Sequence, residues 1–249
     1  MVVLKSKKEL TKLREAGRIS QEALQLGGKS IKPGMTTKKL DKIMHDFILS
    51  QGATPSFLNY GGFPGSACIS INNEVIHGIP SDKTIIKEGD IVSIDIGACK
   101  DGYHGDNAAT FAVGEVSDEA KKLLEVTENS LHAAIKVAQK GNRLGDIGHA
   151  VQQVVEDAGF SVVRDYVGHG VGKNLHEEPN VPNYGIPGHG MRLVPGMVIA
   201  IEPMVNVKGF GIRQLSDGWT VVTASGSLSA HFEHTIAITE QGPVILTAL

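Results

Sequence analysis

The apolar positions of the chain recur with two spacings, one typical of helices and one typical of strands. In residues 40–48 the apolar side chains follow the i, i+3, i+4, i+7, i+8 pattern of a helix that buries one face. Residues 91–96, "IVSIDI", and 197–203, "MVIAIEP", are rich in β-branched residues, as buried strands are. A further apolar stripe follows Ser6 and Glu9, which fit a capping box and predict a helix near the N-terminus.

The chain also resembles itself at one fixed offset in sequence. The same offset relates three pairs of glycines: Gly34 and Gly141, Gly52 and Gly159, Gly89 and Gly196. It relates the apolar residues of the helix to apolar residues of a second helix: Leu40 and Ile147, Ile43 and Ala150, Met44 and Val151, Phe47 and Val154, Ile48 and Val155. The same offset aligns Asp95 with Glu202. A fixed offset over about 70 residues indicates a duplication. We therefore predict one domain, 1–249, with similar helix-then-strand halves of roughly 1–110 and 111–249.

Composition narrows the class of protein without identifying it. The chain has 249 residues, 41% hydrophobic and 20% charged, which is ordinary for a globular protein with a sizeable core. A net charge of −3 gives no electrostatic reason to expect binding to nucleic acid or to an anionic membrane. The basic N-terminal segment is expected to be a solvated helix face, with docking onto ribosomal RNA as the alternative.

The chain shows no signal of export or membrane insertion. No apolar stretch follows the N-terminal lysines as in a signal peptide, and no run approaches the roughly 18 apolar residues of a membrane span. Cys68 and Cys99 lie far apart, so one disulfide is allowed, but free thiols in a reducing cytoplasm are the expectation. We expect a soluble cytoplasmic monomer.

Carboxylates occur in the predicted strands where apolar residues are expected. An isolated ionised carboxylate in a core costs several kcal/mol. If the two halves carry Asp95 and Glu202 toward a shared interior, a cation must lie between them. Three further side chains are candidates to join them: Asp106, Glu233, and His169 between two glycines. Such a hard, oxygen-rich set suits Mn²⁺, Fe²⁺, Co²⁺ or Zn²⁺, and four carboxylates suit two ions rather than one.

Each candidate also has a purely structural interpretation. Asp106 fits a turn or a helix cap, and His169 fits a hydrogen-bonded core histidine. Glu233 fits a charge at a strand edge, in which case His231 or His234 would be the ligand. Taken together with the duplication, the metal site is favoured. Asp101–Gly102 is the more obvious turn, so Asp101 is left out of the site.

The chain resembles the type I methionine aminopeptidases of bacteria in motifs that run nearly end to end. In order these are "NEVIHGIP", "GDIVSIDIG", "KDGYHGD", "GHGVG", "LHEEP", "PGMVIAIEPM", "DGWT" and "EHTIAIT". The resemblance implies an α/β (α+β) pita-bread fold, with two pseudo-symmetric halves around a central antiparallel sheet. It implies that two divalent ions are held by the five residues Asp95, Asp106, His169, Glu202 and Glu233. A metal-activated water would then remove the N-terminal methionine of nascent chains whose second residue is small.

The resemblance also assigns roles that the bare sequence does not. Glu202, His77 and His176 are implied as catalytic, with Glu202 moving a proton and the histidines contacting the substrate. The methionine pocket is implied to consist of Tyr60, Phe63, Cys68, His77 and Trp219. The chain departs from many bacterial relatives at Phe57 and Leu175, where cysteine and phenylalanine are common, which puts the shape of the pocket in doubt.

Two other functions stay open at this point. An X-Pro peptidase shares the fold and much of the ligand set, although such enzymes usually carry a separate N-terminal domain. A non-catalytic pita-bread protein would bind peptides or a partner in the cleft, although such proteins typically lose metal ligands. The absence of a cysteine-rich zinc module and of a long insertion in the second half favours the compact bacterial type.

Overall fold

The computed structural model describes residues 2–248, in which four long helices flank one large antiparallel sheet. The helices are α1 (Lys7–Ser30), α2 (Thr37–Ser50), α3 (Asp118–Val137) and α4 (Leu144–Asp157). The strands are β1 (Thr54–Pro55), β2 (Ala67–Ile71), β3 (Glu74–Ile76), β4 (Ile91–Lys100), β5 (Tyr103–Ala112), β6 (Ser161–Val162), β7 (Gly168–Gly170), β8 (Glu177–Val181), β9 (Val198–Ile201), β10 (Met204–Asn206), β11 (Ile212–Gln214), β12 (Val221–Thr223), β13 (Ser229–His231), β14 (Glu233–Thr239) and β15 (Gly242–Ile245).

The strands form one sheet of nine strands and two of three. The large sheet has the order β1-β4-β5-β14-β9-β7-β8, with β2 also paired to β4 and β15 to β14. The small sheets are β13-β10-β6 and β11-β12-β3. Among the described residues, no helix is long and apolar enough to cross a membrane.

The sequence offset that relates Gly34 to Gly141 also relates elements of the structure. Helix α4 begins and ends where this offset places the two ends of α2, and α3 ends where it places the end of α1. The pairing of Thr54 with Cys99 between β1 and β4 recurs as the pairing of Ser161 with Asn206 between β6 and β10. The predicted helix-then-strand halves are therefore confirmed as elements of the fold, while the boundary near residue 110 stays a prediction.

The two halves differ in the strand that carries Asp95 in the first half and Glu202 in the second. Strand β4 runs without interruption through Asp95, whereas its counterpart stops at Ile201 and resumes as β10 at Met204. Pro203 lies in this break and has no N–H to donate to a neighbouring strand. Glu202 consequently lies in a break between two sheets, while Asp95 lies within a ladder.

The N-terminal segment is only partly as expected. Ser6 and Glu9 form the predicted capping box, and Lys7 and Lys8 are exposed. Lys5 is buried, however, and its Nζ lies 2.5 Å from Glu177 Oε2. The expectation of a wholly solvated basic segment is therefore wrong at Lys5, because a carboxylate from β8 partners it.

Helix α1 packs closely on the sheet beneath the candidate site. A Cβ at Gly105 of β5 would collide with the backbone of Gly17 in α1. Because the two backbones lie in contact here, α1 fixes the position of this part of β5. The residue after Gly105 in β5 is Asp106.

Candidate metal centre and substrate cavity

Three acids project from one face of the large sheet because of the register of its strands. Asp95 of β4 lies opposite Ala108 of β5, and Ala108 lies opposite Glu233 of β14. Residues directly opposite in a ladder point to the same face, and so do residues two apart on one strand. Asp106, two residues before Ala108, therefore joins Asp95 and Glu233 on that face. Cys68 of β2 lies opposite Asp95 and extends the row.

His169 and Glu202 complete the cluster from the other half of the fold. His169 comes from β7, and its Nε2 lies 3.8 Å from Asp106 Oδ2 and 3.6 Å from Glu202 Oε1. Asp106, His169 and Glu233 each offer one donor atom, and these three atoms lie within 4.8 Å of one another. The structure thus brings together all five residues that the sequence singled out.

The tautomer of His169 is fixed by a backbone contact. Its Nδ1 lies 2.8 Å from the carbonyl oxygen of Gly170, so Nδ1 carries the proton and donates it to that acceptor. Burial lowers the pKa of His169 to about 3, so the ring is neutral. The lone pair of Nε2 consequently faces the carboxylates. Lone pairs and carboxylates repel unless a cation lies between them.

Several oxygens of the acids have no partner within the protein. Asp95 Oδ1, Asp106 Oδ1 and Glu233 Oε1 are buried and have no hydrogen-bond partner. Burial and the neighbouring acids raise the pKa of Asp95 and of Glu233 well above the usual range. Burial, chiefly, raises the pKa of Glu202 well above its usual range and that of Asp106 to about 7. Unpartnered oxygens and one aimed imidazole lone pair together fit a divalent cation.

The cluster forms one end of a cavity of about 150 Å³. Its lining contains every residue that sequence analysis placed in the site, together with the two positions that depart from many relatives. The lining residues are Phe57, Tyr60, Phe63, Cys68, His77, Asp95, Asp106, His169, Leu175, His176, Glu202, Trp219 and Glu233. The carboxylates and an apolar pocket thus share one space.

The apolar end of the cavity is a cluster of buried side chains. Phe57, Phe63, Cys68 and Leu175 pack together. Partly buried Trp219 packs against them, edge to face with Phe63 at a ring separation of 5.2 Å. Phe57 and Leu175 are therefore part of the pocket wall.

Two histidines lie between the acids and the apolar pocket. The ring of His176 lies 4.1 Å from that of His169, and its Nδ1 lies 2.9 Å from the hydroxyl of Tyr60. Burial lowers the pKa of His77 to about 4 and also lowers that of His176, so both rings are neutral. Neutral imidazoles retain one N–H donor each for a substrate.

The residues considered for the ligand position of Glu233 lie in different surroundings. His234 points away from the cavity, where its Nδ1 contacts Thr247 Oγ1 at 2.9 Å. Glu233 lines the cavity, and Asp101 lies in an exposed turn. His231 is buried with Nε2 3.7 Å from Glu202 Oε2.

Sequence reasoning missed some residues that surround the site. Ile79 packs on the apolar cluster, and the ring of Tyr166 lies edge-on to that of His77 at 5.7 Å. No strand alternation marks Ile79, because β3 ends at Ile76 and His77 has a left-handed backbone with φ of 59°. No local pattern marks Tyr166, because it approaches from the other half of the chain.

Comparison with known proteins agrees with this arrangement. The model of metallopeptidase family M24 matches residues 11–240. This chain belongs to metallopeptidase family M24. It is 56% identical to methionine aminopeptidase 1 of Bacillus subtilis over 247 residues, covering 99% of each chain. The crystal structure of methionine aminopeptidase from Thermotoga maritima superposes with a TM-score of 0.98 at 46% identity, with each chain fully covered.

A more distant likeness concerns the fold alone. The prolidase of Pyrococcus furiosus superposes with a TM-score of 0.81 at 24% identity, and the match covers 99% of this chain and 66% of the prolidase. Two relatives matched over 99% of their length, at 54% and 56% identity, are methionine aminopeptidases. The predicted family resemblance, the pita-bread fold and the metal-dependent methionine aminopeptidase activity are therefore confirmed.

Proposed function

We propose that Asp95, Asp106, His169, Glu202 and Glu233 hold two divalent ions, next to a pocket that takes the N-terminal methionine of a polypeptide. The observation that carries this proposal is the cavity itself. Buried, unpartnered carboxylate oxygens line one end of it and a closed apolar cluster lines the other. The scissile bond of a bound methionyl peptide would lie between them.

The choice of ions follows from the donor set. Four carboxylates carry more negative charge than one divalent ion neutralises, and oxygen donors with one imidazole suit Mn²⁺, Fe²⁺, Co²⁺ or Zn²⁺. When bound, such ions supply Lewis-acid polarisation of a carbonyl and lower the pKa of water toward neutrality.

Glu202 is proposed to carry the proton during hydrolysis. It lines the cavity in the break between β9 and β10, with 13% of its side chain exposed. A carboxylate held beside the reacting water can accept a proton and release it again. Glu202 would take the proton from the attacking water and deliver it to the leaving amine.

His77 and His176 are proposed to contact the substrate rather than a metal. Tyr60 fixes the ring of His176 through Nδ1, which leaves Nε2 available toward the cavity. A neutral N–H donor there stabilises the negative charge that develops on the carbonyl oxygen. His77 lies against Trp219 at a ring separation of 6.1 Å, where it would face the residue after methionine.

The apolar cluster is proposed to select methionine. A flexible thioether fills an irregular aromatic pocket well and gains from contact between sulfur and aromatic rings. Phe63, Trp219 and Cys68 offer such a surface, with Tyr60 at the exposed edge.

We also propose that the substrates are nascent chains with a small second residue. The protein is proposed to be a cytoplasmic monomer that contacts the ribosome transiently through the exposed lysines of its N-terminal segment.

The substrate specificity separates this proposal from the X-Pro peptidases of the same fold. We expect the metal-loaded protein to cleave Met-Ala-Ser at least about tenfold faster than Leu-Ala-Ser, and to leave Ala-Pro-Ser intact. A preference for the X-Pro peptide would contradict the assigned specificity.

Metal titration separates the proposal from a non-catalytic binding protein. Calorimetry of the metal-free protein with Mn²⁺ or Zn²⁺ is expected to show binding that Asp106→Asn weakens. If the wild-type protein bound neither ion, the cleft would be a site for peptides or partners instead.

A further inference from the structure

His231 is a buried side chain with an unexplained environment. It ends β13, opposite Met204 of β10, and is 1% exposed. Neither Nδ1 nor Nε2 has a hydrogen-bond partner. Buried polar atoms without partners are rare and call for a specific explanation.

The backbone of His231 is held firmly in place. Its N–H donates to Thr110 Oγ1 at 2.9 Å, and the same hydroxyl donates to the carbonyl oxygen of His231 at 2.9 Å. Thr110 is itself tied to Ser93 at 2.8 Å between their hydroxyl oxygens. The imidazole therefore projects from a fixed point of the sheet, so its approach to Glu202 is set by the fold.

The carboxylate of Glu202 lies close to the ring. Its Oε2 lies 3.7 Å from His231 Nε2, while its Oε1 lies 3.6 Å from His169 Nε2. His169 presents a lone pair to Glu202, because its Nδ1 is protonated. His231 has no such constraint, so the favourable tautomer puts its proton on Nε2, toward the carboxylate.

We propose that His231 is a positioning residue whose Nε2–H donates a hydrogen bond to Glu202 Oε2. This inference rests on the proposed metal site. A charge-assisted N–H···O bond is about 2.8 Å long, so the two atoms need to approach by about 0.9 Å from the observed 3.7 Å. The bond fixes the rotation of the carboxylate and leaves Oε1 directed to the side of His169.

Two substitutions separate the hydrogen bond from the volume of the side chain. His231→Leu removes the donor in a side chain of similar size, and His231→Gln retains an N–H donor of similar reach. Loss of a group that orients a ligand typically lowers metal affinity by about 10- to 100-fold. We expect that loss in His231→Leu and recovery of most of it in His231→Gln. His189→Leu, an exposed histidine, serves as the matched control.

The readouts are the Mn²⁺ dissociation constant by calorimetry and the separate values of kcat and KM. Misplacement of Glu202 lowers kcat while KM for Met-Ala-Ser changes little, since the apolar pocket is intact. Wild-type metal affinity in His231→Leu, or equal defects in the leucine and glutamine variants, would overturn the role. If the wild-type protein bound no metal at all, the metal site would fail rather than this inference alone.

A measurement on the unaltered protein covers the case in which His231→Leu does not fold. In the Zn²⁺-loaded wild-type protein, ¹⁵N chemical shifts report the tautomer of each histidine, and the His231 signals are assigned by their loss in His231→Gln. We expect Nε2 to be protonated and Nδ1 unprotonated. The opposite tautomer would overturn the proposed hydrogen bond.

Discussion

The surroundings of the Asp95 carboxylate are supplied by several strands. Asp95 lies in a strand of buried apolar residues, and alone its carboxylate would be strongly disfavoured. The register brings Glu233 to the same row and Asp106 to the same face, and the second half adds Glu202 and His169. In the proposed site, shared cations would offset the desolvation of all four acids at once.

Replacing Asp95 with alanine tests this dependence. We expect Asp95→Ala to lower metal affinity by at least about 100-fold and to abolish turnover, because a ligand is lost and the remaining charge is unbalanced. Metal content by mass spectrometry and hydrolysis of Met-Ala-Ser provide the measurements. Asp82→Ala, at an exposed turn, is the control and should behave as the wild type. Wild-type turnover in Asp95→Ala would exclude the five-residue site.

His176 is expected to separate catalysis from metal binding. His176→Ala should lower kcat by about 10²- to 10³-fold, as loss of an oxyanion donor does, while metal content stays at the wild-type level. Tyr60→Phe, which removes only the hydroxyl that contacts Nδ1, should give a smaller decrease in kcat. If His176→Ala lost its metal, His176 would be a ligand and its assigned role would be wrong.

At the level of elements, the turn between β7 and β8 is held by the N-terminal segment. Lys5 Nζ contacts Glu177 Oε2 at 2.5 Å, and Glu177 Oε1 accepts from the backbone of Asn174 at 3.1 Å. Lys5 also donates its own N–H to the carbonyl oxygen of Gly196 at 2.7 Å, just before β9. Because Glu177 directly follows His176, this buried ion pair fixes the turn that carries His176.

A double-mutant cycle with Lys5→Met and Glu177→Gln measures this connection. Lys5→Met leaves the Glu177 carboxylate without a counter-charge, and Glu177→Gln leaves the Lys5 ammonium without one. Each single change should lower the free energy of unfolding by about 3 kcal/mol, with much of the loss recovered in the double variant. We expect kcat to fall in both single variants. Lys42→Met, in an exposed pair with Asp46, should change stability by less than about 1 kcal/mol. Additive effects at Lys5 and Glu177 would contradict a direct coupling.

Elements that repeat within the chain were the most predictable from sequence. The stripe of α2 and its mate in α4 match in burial position by position: Leu40 with Ile147, Met44 with Val151 and Ile48 with Val155 are all buried. The same duplication, which aligns Asp95 with Glu202, led to the prediction that these two acids meet in a shared interior. The family resemblance supplied His77 and the pocket residues, which no spacing in the sequence marks.

Contacts between distant segments could not be predicted. The burial of Lys5 depends on a carboxylate 172 residues away, and the role of His231 depends on how β13 lies against the break after β9. The sequence around Lys5 and around His231 shows nothing unusual. Only the packing of the two halves determines what they contact.

For the whole molecule, the acids make metal binding depend on pH. The pKa of Asp106 is raised to about 7, and those of Asp95, Glu202 and Glu233 are raised well above their usual range by burial. The metal-free fold therefore binds protons more tightly than the unfolded chain does. Each group contributes stability fully only below its unfolded pKa near 4. For Asp106 that contribution is lost as the pH rises through about 7, and for the other three acids it is lost as the pH rises through their own raised pKa values.

Thermal unfolding between about pH 7 and 8 tests the predicted fall in stability of the metal-free protein as the pH rises. This range lies above the ordinary pKa of histidine, about 6.5, so the four acids are expected to dominate the slope. We expect the Tm of the chelator-treated protein to fall as the pH rises, and the Tm increase on adding Mn²⁺ to grow. Calorimetry in buffers of different ionisation enthalpy should show proton release on binding. A metal-free Tm that rises with pH, or binding without proton release, would contradict the raised pKa values.

The most direct test of the account is mass spectrometry of Met-Ala-Ser after incubation with the purified protein. The protein is used first with its metals removed by chelator, and then with Co²⁺, Mn²⁺, Fe²⁺ or Zn²⁺ added back, keeping iron anaerobic. We predict no cleavage without metal, and release of methionine together with intact Ala-Ser once a suitable ion is restored. A folded protein that cleaves nothing with any of these ions, or that cleaves equally well without metal, would contradict the account.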